Sequence, residues 1–192
     1  MTGILGKKIG MSRIIDENGN FVAVTYVNVT PNEVVQIKNI EKNGYNAIAL
    51  GAIPYSRERK NRKYQYVKEF FVEDPSQYKL GQTLSLNDLG ELKEVSITAF
   101  SKGKGFQGPV KRWNFRTARK THGTKEGRHG STMNSSITGR TKPGLKMAGR
   151  QGGQKTTLNK RKIVLVDLDK NIYAIKGAIP GAADGLVVLR IK

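Results

Sequence analysis

Phe21-Val22-Ala23-Val24-Thr25-Tyr26-Val27-Asn28-Val29 is dominated by β-branched and aromatic side chains, and Asp16-Glu17-Asn18-Gly19-Asn20 stands directly before it. The first composition suits a pleated strand. The second suits a tight turn, because Gly and Asn accept left-handed backbone. A turn there folds residues 4–15 back onto 21–29 as a hairpin. Working outward, residues 33–38 alternate with Val35 and Ile37 on one face, and Asn43-Gly44 turns them into residues 45–50. Residues 94–100, 163–167, 172–176 and 186–191 are further short strands, with Asp169-Lys170-Asn171 as the turn between the second and third of these. No long segment has a 3.6-residue period. The fold class is therefore mainly β, an antiparallel barrel or sandwich.

The chain has 192 residues, no cysteine and a formal net charge of +19. Without cysteine there is neither a disulfide framework nor a cysteine zinc site. No run approaches the ~18 apolar residues of a membrane span. The opening Met1-Thr2-Gly3-Ile4-Leu5-Gly6-Lys7-Lys8 lacks the apolar core of a signal peptide, so no cleaved targeting segment is expected. A charge of this size calls for a polyanion.

That charge is concentrated. Residues 101–162 hold 17 Lys and Arg against one acid, Glu126, a balance of +16, while the other 130 residues carry +3. Apolar residues make up 11 of the 62 in the basic stretch and 60 of the 130 outside it, and half of the 22 glycines lie inside it. The stretch cannot build a core of its own. Strands precede and follow it, so it is an inserted loop and not a tail. A milder cluster, Arg57-Glu58-Arg59-Lys60-Asn61-Arg62-Lys63, has two readings, a solvated face or a nucleic-acid contact. Tyr64 and Tyr66 after it either stack on bases or pack on the body.

Catalytic signals are weak. Gly103-Lys104-Gly105-Phe106-Gln107-Gly108 matches G-x-G-x-x-G, and Glu126 lies at the distance of a ribose ligand. A dinucleotide site needs a helix opening at the third glycine, and nothing after Pro109 is amphipathic at helical spacing. Glycines that let backbone N–H groups approach phosphates, with Lys102 and Lys104 neutralising them, suit the segment better. His122 and His129 have no metal-ligating company. Asp167 and Asp169 mimic a carboxylate pair but run into a turn. No enzyme and no cofactor are expected.

Nucleic acid fits better. Lys111-Arg112-Trp113-Asn114-Phe115-Arg116 interleaves guanidinium, indole and phenyl groups. Trp113 and Phe115 have two readings, base-stacking faces or anchors of the loop on the body. Further on, Arg140, Lys142, Lys146, Arg150, Lys155, Lys160, Arg161 and Lys162 stand singly among Gly, Ser, Thr, Asn and Gln. This suits an extended segment threading between phosphate backbones, disordered when free. Helix-poor composition favours RNA over a DNA major groove, and the missing amphipathic helix argues against a membrane surface. A free nucleic-acid chaperone or DNA-architectural protein is the alternative.

Ser101-Lys102-Gly103-Lys104-Gly105-Phe106-Gln107-Gly108, followed by Val110-Lys111-Arg112-Trp113-Asn114-Phe115, resembles the signature of the universal third protein of the large ribosomal subunit, bacterial type. So do Gly6-Lys7-Lys8-Ile9-Gly10-Met11-Ser12-Arg13, Lys146-Met147-Ala148-Gly149 and Lys176-Gly177-Ala178-Ile179-Pro180-Gly181. The motifs keep the family order over nearly the whole chain. The resemblance implies a closed six-stranded barrel, residues 1–100 with 163–192, and an inserted lobe at about 45–95. Residues 101–162 would be an RNA-binding finger.

It also implies a structural role, with no turnover. Such a protein binds large-subunit (23S-type) rRNA near its 3′ end early in assembly, and its finger reaches toward the peptidyl-transferase centre and the aminoacyl-tRNA entry path. The place implied is the cytoplasmic ribosome, beside the fourteenth and nineteenth large-subunit proteins, with no membrane and no homo-oligomer. The candidate RNA-binding residues are Lys102, Lys104, Lys111, Arg112, Trp113, Arg116, Arg119, Lys120, His122, Arg128, Arg140, Lys142, Lys146, Arg150, Gln151, Lys155, Lys160 and Arg161. In some bacterial members a glutamine follows Met-Ala-Gly and is methylated; this sequence has Arg150 there, with Gln151 one place later. It also departs from the family at Ser96 and across Gly127-Arg128-His129-Gly130.

Overall fold

The computed structural model describes residues 3–16, 18–59, 62–86, 92–117, 119, 121–123, 141 and 143–191. Strand β1 (Gly3–Ile15) and strand β2 (Phe21–Asn28) form the expected hairpin, with Ile15 opposite Phe21 and Lys7 opposite Asn28. Gly19 closes it at φ +78°, its N–H donating to the Asp16 carbonyl at 2.8 Å. Next come β3 (Asn32–Lys38), a helical turn α1 (Ile40–Asn43) ended by left-handed Gly44, β4 (Ala47–Arg59), β5 (Arg62–Phe71), β6 (Thr83–Leu84) and β7 (Glu94–Phe100). Two-residue strands β8 (Phe106–Gln107) and β9 (Gly149–Arg150) flank α2 (Pro109–Trp113) in sequence. The chain ends with β10 (Lys155–Asp167), β11 (Ile172–Lys176) and β12 (Leu186–Arg190).

Six strands pair antiparallel in the order β1-β12-β7-β10-β11-β2, and β2 pairs back to β1. Each has a partner on both sides along this order, which removes the exposed edge that invites aggregation. Period-two alternation sends Val27 and Val29, Val95, Ile97 and Ala99, Tyr173 and Ile175, Val187 and Leu189 into one buried cluster.

A four-stranded sheet, β5-β4-β3-β6, forms a second cluster from Val34, Ile48, Leu50, Ala52, Phe70 and Leu84. Leu5 belongs to it, and Leu186 and Val188 pack against it, so this sheet covers outward-facing side chains of β1 and β12. Contact is close: a Cβ on Gly3 would stand 2.5 Å from the Phe70 ring. Fully buried Asn32 adds polar links, accepting from Leu5 N–H at 3.2 Å and donating to the Leu5 and Thr30 carbonyls at 3.0 and 2.7 Å.

Two details differ from the sequence pattern. Val34, not Val35, enters the core, because a register shift between Val34 and Gln36 reverses the alternation and leaves Val35 exposed. The second sheet takes in Asn32–Lys38, ahead of residues 45–50, which the sequence pattern pairs with 33–38. Strand β10 starts at Lys155, eight residues before its apolar run, since Lys155–Leu158 pair with Phe100–Ile97. The chain divides into two compact units, residues 1–101 with 155–192, and residues 102–154.

Candidate nucleic-acid interface

In the unit 102–154 the Gly-rich sequence is ordered by backbone pairing. Phe106 and Gln107 lie opposite Arg150 and Gly149. The pairing continues past the strands, with Lys104 N–H donating to the Gln151 carbonyl at 2.8 Å and Gln151 N–H to the Gly105 carbonyl at 2.9 Å. Lys104 N–H is therefore occupied within the chain. Pro109, at the first helical position, has no N–H to leave unpaired, and Gly108 precedes it as N-cap. Left-handed Asn114 (φ +58°) ends the helix after five residues, with Lys111 and Arg112 in its last turn.

The carbonyl oxygen of Met147 accepts from both Arg112 Nη1 at 2.9 Å and Trp113 Nε1 at 2.8 Å. The Arg112 guanidinium stands 4.9 Å from the Trp113 ring centroid and the Lys146 ammonium 5.7 Å. Glycine at 149 makes room, since a Cβ there would lie 2.5 Å from Arg112 Nη1. Trp113 thus fastens residues 146–149 to α2, and both cations sit by its ring. Its indole stays half-exposed while making these contacts. Gln107 Nε2 donates to the Lys104 carbonyl at 2.6 Å.

Among its described residues this unit has no acid to serve as counter-ion. Residues 102–154 include one acid, Glu126, which lies outside the described residues. The ion pairs of the described residues, Lys38–Glu69, Lys63–Glu33 and Lys170–Asp167, all lie in the other unit. Lys102, Lys104, Lys111, Arg116, Arg119, His122, Lys146 and Arg150 are exposed, while Arg112 and Gln151 are partly buried. Lys120, Arg128, Arg140, Lys142 and His129 lie outside the described residues. Lys155, Lys160 and Arg161 are exposed on β10 in the first unit, Lys160 at φ +50° within a register shift. The structure thus gathers Lys104, Lys111, Arg112, Trp113, Lys146, Arg150 and Gln151 around one ladder and helix.

Asp167, Lys63 and Tyr64 make contacts within the body. Asp167 Oδ1 accepts from Lys170 N–H at 3.1 Å, so this carboxylate fixes the turn. No group of three or more His, Cys, Asp and Glu that could hold a metal occurs among the described residues. In the second basic cluster, Lys63 Nζ contacts both Glu33 oxygens at 2.7 and 2.8 Å, and Tyr64 donates to the same carboxylate. The Lys63 ammonium, followed by the Tyr64 hydroxyl, holds the Glu33 carboxyl below its usual range, while burial and then the Glu33 hydrogen bond raise Tyr64. Tyr64 packs on the body, its ring filling the space that a Cβ on Gly51 would need.

A family model described as "Ribosomal protein L3" matches residues 62–174. The chain belongs to the ribosomal protein L3 family. It is 39% identical over 204 aligned residues to "Large ribosomal subunit protein uL3" of Aliivibrio fischeri (strain MJ11), covering 99% of this chain and 98% of the relative. The protein of the same name from Vibrio vulnificus (strain CMCP6) is also 39% identical, and that of Pasteurella multocida (strain Pm70) is 37% identical, with the same coverage. The motifs whose resemblance pointed to this family fall in both units.

Proposed function

We propose that this protein is a structural constituent of the large ribosomal subunit in the cytoplasm and binds large-subunit rRNA. The observation that carries this reading is the set of exposed cations on the β8–β9 ladder and α2, in a unit whose described part has no acid. Uncompensated Lys and Arg on ordered backbone attract phosphate and release its counterions. Full-length likeness to proteins named as large-subunit components supports the choice of polyanion.

In this reading the six-strand ring is the family's closed barrel, and residues 102–154 are its finger. The finger reaches toward the peptidyl-transferase centre and the aminoacyl-tRNA entry path. Binding takes place early in assembly near the 3′ end of the rRNA, beside the fourteenth and nineteenth large-subunit proteins. Lys120, Arg128, Arg140 and Lys142 extend the RNA-contacting set, and Lys155, Lys160 and Arg161 add contacts from β10. Crosslinking the tagged protein in cells and mapping the attached RNA tests the reading. Crosslinks concentrated in 23S-type rRNA, with co-sedimentation on large subunits in moderate salt, are expected. A free or DNA-bound pool would overturn it.

A further inference from the structure

Phe106 is 77% exposed, more than any other large apolar side chain among the described residues. It sits at the centre of Gly103-Lys104-Gly105-Phe106-Gln107-Gly108, a segment to which the proposed function assigns only cations. Its ring meets no other ring and no cation among the described residues. An aromatic side chain left in water within an otherwise polar segment is unexplained by the fold.

Its surroundings are kept bare. A Cβ on Gly103 or on Gly108 would meet nothing within 4 Å, and neither glycine has positive φ. Neither backbone conformation nor internal packing requires glycine at these two places. What their missing side chains do provide is an open surface at two positions of the segment that carries Phe106.

The residue directly opposite Phe106 in the ladder is Arg150. Directly opposed residues project from the same face, with Cβ atoms ~4.5–5.5 Å apart. Arg150 has a seat of its own. A Cβ on Gly153 would lie 2.8 Å from Nη2 and 3.4 Å from Cζ, so the guanidinium rests over that glycine. One small face thus presents an exposed phenyl ring and a held guanidinium, in a unit with no acid among its described residues.

We propose that Phe106 and Arg150 form a binding site for one unstacked RNA base, the ring stacking on the base and the guanidinium pairing with its phosphate. A phenyl ring has no polar edge, so the site selects an unpaired base without reading its identity. The cleared glycines admit the flat ligand, and Arg150 supplies the fork that phosphate accepts. This site rests on the rRNA-binding reading and names the element of RNA that the segment holds.

The test uses the full-length protein and deproteinised large-subunit rRNA. Phe106→Leu keeps an apolar side chain and removes the π face, while Phe106→Trp enlarges that face. Loss of one stacked base should weaken binding by about tenfold for Phe106→Leu, with Phe106→Trp near wild type. Ultraviolet crosslinking of the wild type should place a nucleotide on the peptide containing Phe106. Equal binding by wild type and Phe106→Leu would overturn the site, as would crosslinked peptides that exclude residue 106. Failure of the wild type to bind rRNA would overturn the functional reading itself, and shows before any variant is compared. Far-UV circular dichroism checks that the exposed substitution leaves the fold intact.

Discussion

The indole Nε1 of Trp113 donates to the carbonyl oxygen of Met147 at 2.8 Å, across 34 residues of chain. Arg112 shares that acceptor, so one carbonyl ties two side chains of α2 to the segment carrying Lys146 and Arg150. Trp113→Phe removes one donor and keeps a smaller aromatic ring at the site. A hydrogen bond contributes about 0.5–1.5 kcal/mol net, so local opening should rise about two- to tenfold. Hydrogen exchange of amides 144–151 reads this directly, and unchanged protection would show that Arg112 alone holds the segment.

Gly152 has φ +71°, and a Cβ on it would meet the Lys102 carbonyl oxygen. Gly152→Ala therefore combines left-handed strain of ~1–2 kcal/mol with a backbone clash. The Lys104–Gln151 pairing should open, seen as lost protection of these two amides, while the unfolding midpoint of the strand ring stays in place. A shifted midpoint would mean that the strain spreads into the first unit.

Asn32 is buried and makes three hydrogen bonds to backbone, two of them to Leu5. Asn32→Ala leaves a buried N–H and two carbonyls short of a partner, at ~1–3 kcal/mol for each group that finds no water. Urea unfolding should give a lower midpoint at unchanged slope. A loss under ~1 kcal/mol would mean that water replaces the side chain.

Glu33 has its carboxyl pKa lowered, first by the Lys63 hydrogen bond and then by that of Tyr64. A depressed folded-state pKa adds stability that is complete above the unfolded value of ~4.3 and disappears as pH falls through the folded value. Stability should therefore fall on acidification below about pH 4.3, and Glu33→Gln should flatten that part of the profile. The same sign holds for Glu69, lowered by Lys38 and Tyr45. An equally steep profile in the Glu33→Gln variant would assign the acid sensitivity elsewhere.

Strands were legible where composition and pattern agreed. Phe21–Asn28 and Ile172–Lys176 combine β-branched runs with flanking turn residues, and both were located from these signs. The first half of β10 was hidden because Lys155-Thr156-Thr157-Leu158 is polar. Its place in the sheet comes from backbone pairing to β7, which leaves no apolar trace. The bulge after Val34 was hidden for a related reason, since one extra residue inverts an alternation that otherwise reads cleanly. At the interface, composition located the cations, but the Trp113–Met147 contact joins positions 34 apart and has no local signature. Its one trace in sequence is Gly149, small where the Arg112 guanidinium passes. The exposure of Phe106 likewise has no trace in composition, since a lone apolar residue in a polar segment reads equally as buried or exposed.

In the proposed function, residues 102–154 carry most of the RNA affinity and the remaining chain supplies a self-sufficient support. Phe100 and Lys155 are directly paired on β7 and β10, so an Asn-Gly turn can join the strands once residues 102–154 are removed. The most direct measurement compares this variant with the full chain in rRNA binding across a salt series. With about ten phosphates contacted, the full chain should show a log–log slope of order −7 to −9. The shortened variant should keep its unfolding midpoint and lose most of both the affinity and the slope. A shortened variant that binds rRNA with the same affinity and slope would contradict the account.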